Sequence, residues 1–187
     1  MKIQNLSTRL LVRRLGKADL DAMLALCAGN PLFYQYHPPL ATHADLLADL
    51  SALPPGKTPA DKFFVGFFAP EEGAAPAGHI LGKTAARPGQ LVAMMDLILG
   101  YPRPGTAFIG LFMVGGALQG CGLGSGIISE CIAALAACGF DTVRLGVDEG
   151  NPQSAAFWAK NGFVPTGERT PWEHGAYLPM ERQLTAD

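Results

Sequence analysis

The residues whose types and spacing best suit chemistry lie at Gln119-Gly120-Cys121-Gly122-Leu123-Gly124-Ser125. An apolar run, Thr106 to Val114 (TAFIGLFMV), precedes them. After them Ile127, Ile128, Cys131, Ile132, Leu135 and Ala136 recur at three- and four-residue spacing, so they share one helix face. A strand, a glycine turn and a helix in that order make a receptor for an anion. Small residues let a ligand approach the backbone, and the helix dipole and first-turn amides favour negative charge. The plainer reading is a glycine-rich connection that serves tight packing. Two phosphate motifs are excluded. A Walker loop needs a lysine that is absent here, and a dinucleotide fingerprint needs GxGxxG near an early strand, whereas Gly120, Gly122 and Gly124 give GxGxG late in the chain. Cys121, between two glycines, reads as a spacer rather than a nucleophile.

Carboxylates and aromatics supply the other candidates. Asp96 is the one charge in the apolar run Leu91 to Leu99, and Glu149 closes a short strand just before Asn151. Either is a candidate base if its pKa suits; the plainer readings are a structural hydrogen bond for Asp96 and a solvated turn for Glu149. Phe33, Tyr34, Tyr36 and His37 crowd the segment LFYQYHPP, read as a loop that lines a pocket or plugs a core edge. Tyr101 sits in the turn GYPRPG, and Trp172, Glu173 and His174 form either part of a lid or a polar turn.

These groups need a scaffold. Strands are expected at Thr8 to Arg14, Lys62 to Ala69, Leu91 to Leu99, Thr106 to Val114, Thr142 to Val147, Phe163 to Thr166 and Ala176 to Leu184. Helices are expected at Lys17 to Cys27, at Thr42 to Leu53 with Thr42 and Asp45 as a cap, from Gly124 onward, and at Pro152 to Lys160. The tight turn Gly100 to Gly105 makes the strands on either side an antiparallel hairpin. Pro70 to Gln90, rich in Ala, Gly and Pro, reads as a long excursion with a weak apolar patch at Ile80 and Leu81. The fold class that follows is α/β, a mixed sheet flanked by helices, in a single domain spanning 1–187.

Composition bounds the function. Fourteen Lys and Arg against 16 Asp and Glu give a formal charge of -2, no electrostatic case for nucleic acid. Only 16% of the 187 residues are charged and 49% are apolar, an excess that a homodimer interface or a covered groove would use. The apolar runs are too short or too interrupted to span a bilayer, and no secretory leader opens the chain, so a soluble cytoplasmic protein without membrane partners is expected. Cys27, Cys121, Cys131 and Cys138 form no CxxC pair, and the four histidines form no metal-binding pattern. Buried thiols in a reducing compartment, and no metal, are therefore expected.

The glycine segment resembles motif A of the GCN5-related N-acetyltransferases, Q/R-x-x-G-x-G/A, at Gln119, Gly122 and Gly124. Asn151 to Phe163, NPQSAAFWAKNGF, is similar to that superfamily's next helix with its closing Gly-Phe pair. The resemblance covers nearly the whole chain, with Pro70 to Gln90 as an unusual insertion. It implies acetyl-coenzyme A as acyl donor. The pyrophosphate would meet the amides from Gln119 through Gly120, Cys121, Gly122, Leu123 and Gly124 to Ser125. The pantetheine would lie along Leu111, Phe112, Met113 and Val114, and two strands would splay beyond that point. Asn151, Phe157 and Trp158 would border the cofactor from the other side. It further implies direct attack by a primary amine of a small molecule or peptide. Phe33, Tyr34, Tyr36, His37, Asp96 and Tyr101 would bind that acceptor, and Asp96 or Glu149 would serve as base. Two departures stand out. Trp158 occupies the position where many members carry a thiolate-protonating tyrosine, which indole cannot replace, and the strand AFIGLFMV lacks their glutamate. The alternative is an acetyl-coenzyme A sensor without turnover.

Overall fold

A computed structural model describes residues 1–71 and 86–184. The apolar patch at Ile80 and Leu81 lies outside the described residues. Among the described residues eight strands form one sheet: β1 (Leu11–Arg14), β2 (Lys62–Phe68), β3 (Leu91–Leu99), β4 (Thr106–Val114), β5 (Thr142–Asp148), β6 (Val164–Pro165), β7 (Thr170–Trp172) and β8 (Gly175–Gln183). Their order is β1-β2-β3-β4-β5-β8-β6, with β7 paired to β8. All neighbours are antiparallel except β4 and β5. The helices are α1 (Leu20–Ala28), α2 (Pro31–Tyr36), α3 (His43–Asp49), α4 (Leu123–Ala137) and α5 (Pro152–Lys160). The mixed α/β class is as expected, as is the antiparallel hairpin of β3 and β4.

Alternation along the strands builds a core on each face. Val65 and Phe67 of β2 join Met95, Ile109, Ile127, Ile128, Leu135, Trp158 and Phe163 under α4 and α5. Phe64 and Phe68 of the same strand join Met94, Met113, Met23, Leu26, Cys27 and Leu46 under α1 and α3. Thr42 caps α3 as its spacing with Asp45 requires, each side chain bonded to the other's backbone N–H.

Three differences have physical reasons. The segment read as an aromatic loop forms α2: Pro31 occupies its first turn, where its missing N–H costs nothing. The first strand starts at Leu11 rather than Thr8, because Ser7, Thr8 and Arg9 turn instead to bond Glu130 on α4. The strand β7 was not expected; Trp172 and Gly175 close its hairpin with β8.

One irregularity matters for the site. Asp96 pairs with Leu111 but Leu97 pairs with Ile109, so Gly110 is the extra residue of a bulge. The bulge switches the faces of β4: Ala107 and Ile109 before it, and Val114 after it, all serve the α4 side.

Candidate active site

The parallel pairing of β4 with β5 spans only Thr106–Ile109 against Thr142–Leu145. Beyond it the two strands separate, and among the described residues no strand pairs with Gly110–Val114 on that side. The Gly115 N–H donates to the Val92 carbonyl, toward β3, at 2.9 Å. By alternation the Val114 and Phe112 N–H groups point the other way, into the gap. A cleft of ≈ 570 Å³ follows this open edge, lined by Phe112, Met113 and Val114, then by Gln119, Gly120, Gly122, Gly124 and Ser125. Asn151, Phe157 and Trp158 form its α5 wall, and Gly29 to Phe33 its opposite wall.

At the turn, Gly120 has φ 76° and Gly122, the residue capping α4, φ 89°. Both lie in the left-handed region that favours glycine, and a Cβ on either would project into open space. Among the described residues no acceptor takes the backbone N–H of any residue from Gly120 to Ser125, no side chain caps α4, and its first turn has no acid. Six successive free amides at the positive end of a fifteen-residue helix are suited to a phosphate group. Gly124 plays a different part. A Cβ there would press within 3.2 Å of Phe157 and 3.3 Å of Val114, so it sets how closely α4 approaches the strand and α5.

Several expected residues serve the cradle without lining it. Leu123 is buried in the core, so only its backbone faces the turn. The thiols expected to be buried are so at Cys27 and Cys131, but Cys121 and Cys138 are exposed, the Cys121 thiol donating to the Leu118 carbonyl. Leu111 packs on the α1 side of the sheet. The Gln119 amide is held inside, donating to Asn30 Oδ1 at 2.5 Å and to the Val114 carbonyl at 3.1 Å. Asn30 itself is buried and donates to the Leu26 and Val114 carbonyls. This amide clamp fastens the end of α1 to the end of β4. Asn30 was not among the expected site residues; its signal in the sequence was a polar residue between a helix end and Pro31.

On the α5 wall, buried Asn151 caps the helix by accepting the Ser154 N–H. Trp158 is buried amid Phe112, Phe157 and Phe163, with ring centroids 5.0–6.0 Å away, so it is a packing centre.

The expected acceptor residues divide. Phe33 lines the cleft, and Tyr34 meets its ring edge-on at 5.0 Å. Burial pushes the Tyr34 phenol up, with Cys27 adding to it, so it remains a protonated donor. Tyr36 is half-buried beside them. His37 stacks on Trp172 at 4.8 Å, and Trp172 stacks on Tyr177 at 5.3 Å. His37 Nδ1 lies 3.1 Å from Oδ1 of Asp148, a buried carboxylate at the end of β5. Asp148 and Tyr177 were missed: each sits in a strand whose sequence says nothing of what crosses it from α2. Glu173 and His174 are exposed at the hairpin turn, His174 edge-on to Trp172 at 5.1 Å, while Trp172 is the proposed lid residue that stacks on His37.

Three expectations are not met by the geometry. Tyr101 packs against Phe108 at the Thr106 end of β4, the opposite end from the glycine turn. Its place in a turn said nothing of which end of the sheet that turn occupies. Asp96 does not line the cleft. Its Oδ2 accepts from buried Lys62 at 2.7 Å, while Oδ1 is buried without a partner. Burial pushes its carboxyl up and Lys62 pulls it back. Glu149 points away, gripped by Arg169 at 2.7 Å and 2.9 Å, which holds its carboxyl below the usual range.

Among the described residues no helix is long and apolar enough to cross a membrane, and no group of His, Cys, Asp and Glu could hold a metal. Comparison with known proteins adds the ancestry. Residues 44–163 match the model of the acetyltransferase (GNAT) family. No curated protein sequence matches. An acetyltransferase from Thermus thermophilus superposes with a TM-score of 0.68 at 20% identity, covering 98% of this chain and 100% of that one. The PaiA N-acetyltransferase of Thermoplasma acidophilum, in complex with coenzyme A, superposes at 0.61 and 17% identity over 93% and 98% of the two chains. A phosphinothricin acetyltransferase from Sinorhizobium meliloti, in complex with acetyl-coenzyme A, gives 0.62 and 16% over 95% and 89%. The strand gap and free amides thus occur within a matched family segment and a shared fold, and the chain belongs to the GNAT family of acetyltransferases, which use acetyl-coenzyme A as acyl donor.

Proposed function

We propose that this enzyme acetylates a primary amine of a small molecule or peptide, and that the cleft beside β4 holds the donor. The observation that carries the reading is continuity: an unpaired strand edge runs directly into six unclaimed amides within one cleft. When bound, acetyl-coenzyme A supplies an activated thioester and a sulfur leaving group. The amides of Gly120, Cys121, Gly122, Leu123, Gly124 and Ser125 would grip its pyrophosphate, aided by the α4 dipole. The open edge at Phe112 and Val114 would take the pantetheine as an added strand. Gln119 would act through the clamp with Asn30, keeping the strand end in register. Phe157 and Asn151 would form the far wall.

The acceptor would enter between β4 and β5, against Phe33, Tyr34 and the stacked rings of His37, Trp172 and Tyr177. Asp96 and Glu149 contribute little as bases, since each spends its charge on a neighbouring cation. With Trp158 filling the tyrosine position, no side chain is assigned to protonate the departing sulfur.

Calorimetry with coenzyme A and acetyl-coenzyme A, followed by thiol release across an amine panel, tests the proposal. Binding and turnover with at least one amine are expected. Binding with no turnover across alkyl, aryl and peptide amines would favour a sensor, and absence of binding would overturn the donor site.

A further inference from the structure

We infer that His37 is the base that deprotonates the amine acceptor, with Asp148 as the residue that positions it. This rests on the donor site proposed above.

Both partners adjoin the cleft through neighbours that line it. Phe33, one helical turn before His37 on α2, lines the cleft and packs on the imidazole at 5.2 Å. Asn151, which also lines it, donates its backbone N–H to the Asp148 carbonyl at 3.1 Å. Asp148 belongs to Gly146–Asp148, the part of β5 that has parted from β4. The contact between His37 and Asp148 therefore joins the end of α2 to the part of β5 that borders the strand gap.

The chemistry of the pair is directional. A buried carboxylate that accepts from Nδ1–H leaves the Nε2 lone pair free. The stack on Trp172 fixes the plane of the ring, and about a third of the His37 side chain stays exposed (34%). The groups facing His37 are Asp148 from β5, Tyr177 from β8 and the more distant Asp49 from α3. Burial, then the Asp148 charge, pushes the Tyr177 phenol up, so the two carboxylates are the charges that the imidazolium meets.

The step balances. An alkylammonium acceptor gives one proton to Nε2, and the resulting imidazolium faces Asp148. The free amine forms the C–N bond as the thioester C–S bond breaks, with the electron pair leaving on sulfur. The second proton lost by nitrogen neutralises that sulfur, and the imidazolium returns the first to solvent.

The test begins with the native protein. Nitrogen-15 spectra of the neutral histidine rings should show His37 protonated at Nδ1 and bare at Nε2. Its ring signals should move on adding acetyl-coenzyme A. The opposite tautomer overturns the inference. So do unmoved signals in a sample that calorimetry shows to be saturated, a result that leaves the donor site standing. Failure of acetyl-coenzyme A to bind would remove both readings together. Turnover is then measured with an amine selected from the panel. His37→Asn keeps a donor toward Asp148 and His37→Phe keeps the stack. Each should lose roughly 100-fold or more in kcat with acetyl-coenzyme A affinity within about twofold. Free imidazole should partly restore His37→Ala. Undiminished kcat in folded His37→Phe would show a merely structural ring and overturn the inference.

Discussion

Gly122→Ala separates what the glycine turn does for the fold from what it does for the ligand. Gly122 holds φ 89°, and an added Cβ would touch no protein atom within 4 Å. Its structural cost is therefore backbone strain alone. The left-handed conformation costs an L-residue about 1–2 kcal/mol, and the lower entropy of the unfolded alanine chain returns about 0.4–1 kcal/mol. The net loss is about 1 kcal/mol, a fall in Tm of about 2–4 °C for a chain of this length. The methyl group would also stand beside the free amides at the start of α4. Losing one hydrogen bond to a charged phosphate costs about 1.5–3 kcal/mol, so the Kd for coenzyme A should weaken roughly 10- to 100-fold. Gly139→Ala is the matched control: φ 82°, open space around its Cβ, but at the far end of the same helix. Scanning calorimetry should show similar losses of Tm for both variants, and titration calorimetry should show weakened binding only for Gly122→Ala. Equal affinities in two folded variants would refute the assignment of the turn to the pyrophosphate.

Other consequences follow from the packing. Lys62→Met strands the Asp96 carboxyl in the core and should cost about 3–5 kcal/mol at neutral pH by urea denaturation. Because burial raises the folded-state pKa of Asp96, its contribution is complete below the ordinary carboxylate range and is lost as pH rises through the elevated value. The deficit of Lys62→Met should therefore shrink between about pH 7 and pH 4, and Lys62→Met/Asp96→Leu should recover most of it; a pH-independent deficit would contradict the pairing. Asn30→Ala breaks the clamp on the Val114 carbonyl and should cost about 1–3 kcal/mol, while weakening coenzyme A in calorimetry through the displaced strand end. Trp158→Ala should cost about 3–5 kcal/mol by cavity formation; a loss of activity with unchanged stability would instead make Trp158 a functional group.

The local pattern revealed much of this molecule. Short apolar and aromatic runs marked β2 and β3, the three- and four-residue spacing marked α4, and Thr42 with Asp45 marked α3, because each signal arises within a single element. The glycine turn was legible for the same reason: free amides, left-handed backbone and helix N-terminus all belong to consecutive residues. Pro31 carried a helix-start signal that the three aromatics after it obscured.

The acceptor side was decided elsewhere. Asp96 and Glu149 were sound candidates by type, yet Lys62 lies 34 residues from one and Arg169 lies 20 from the other, and only the folded sheet brings them together. His37 meets Asp148 across 111 residues of chain. Sequence by itself determined which stretch could receive an anion, since that property is carried by neighbouring backbone groups. The tertiary structure alone decided which carboxylate stands free to hold an imidazole, because the partner of a charge is set by distance in space and by what the interior excludes from water.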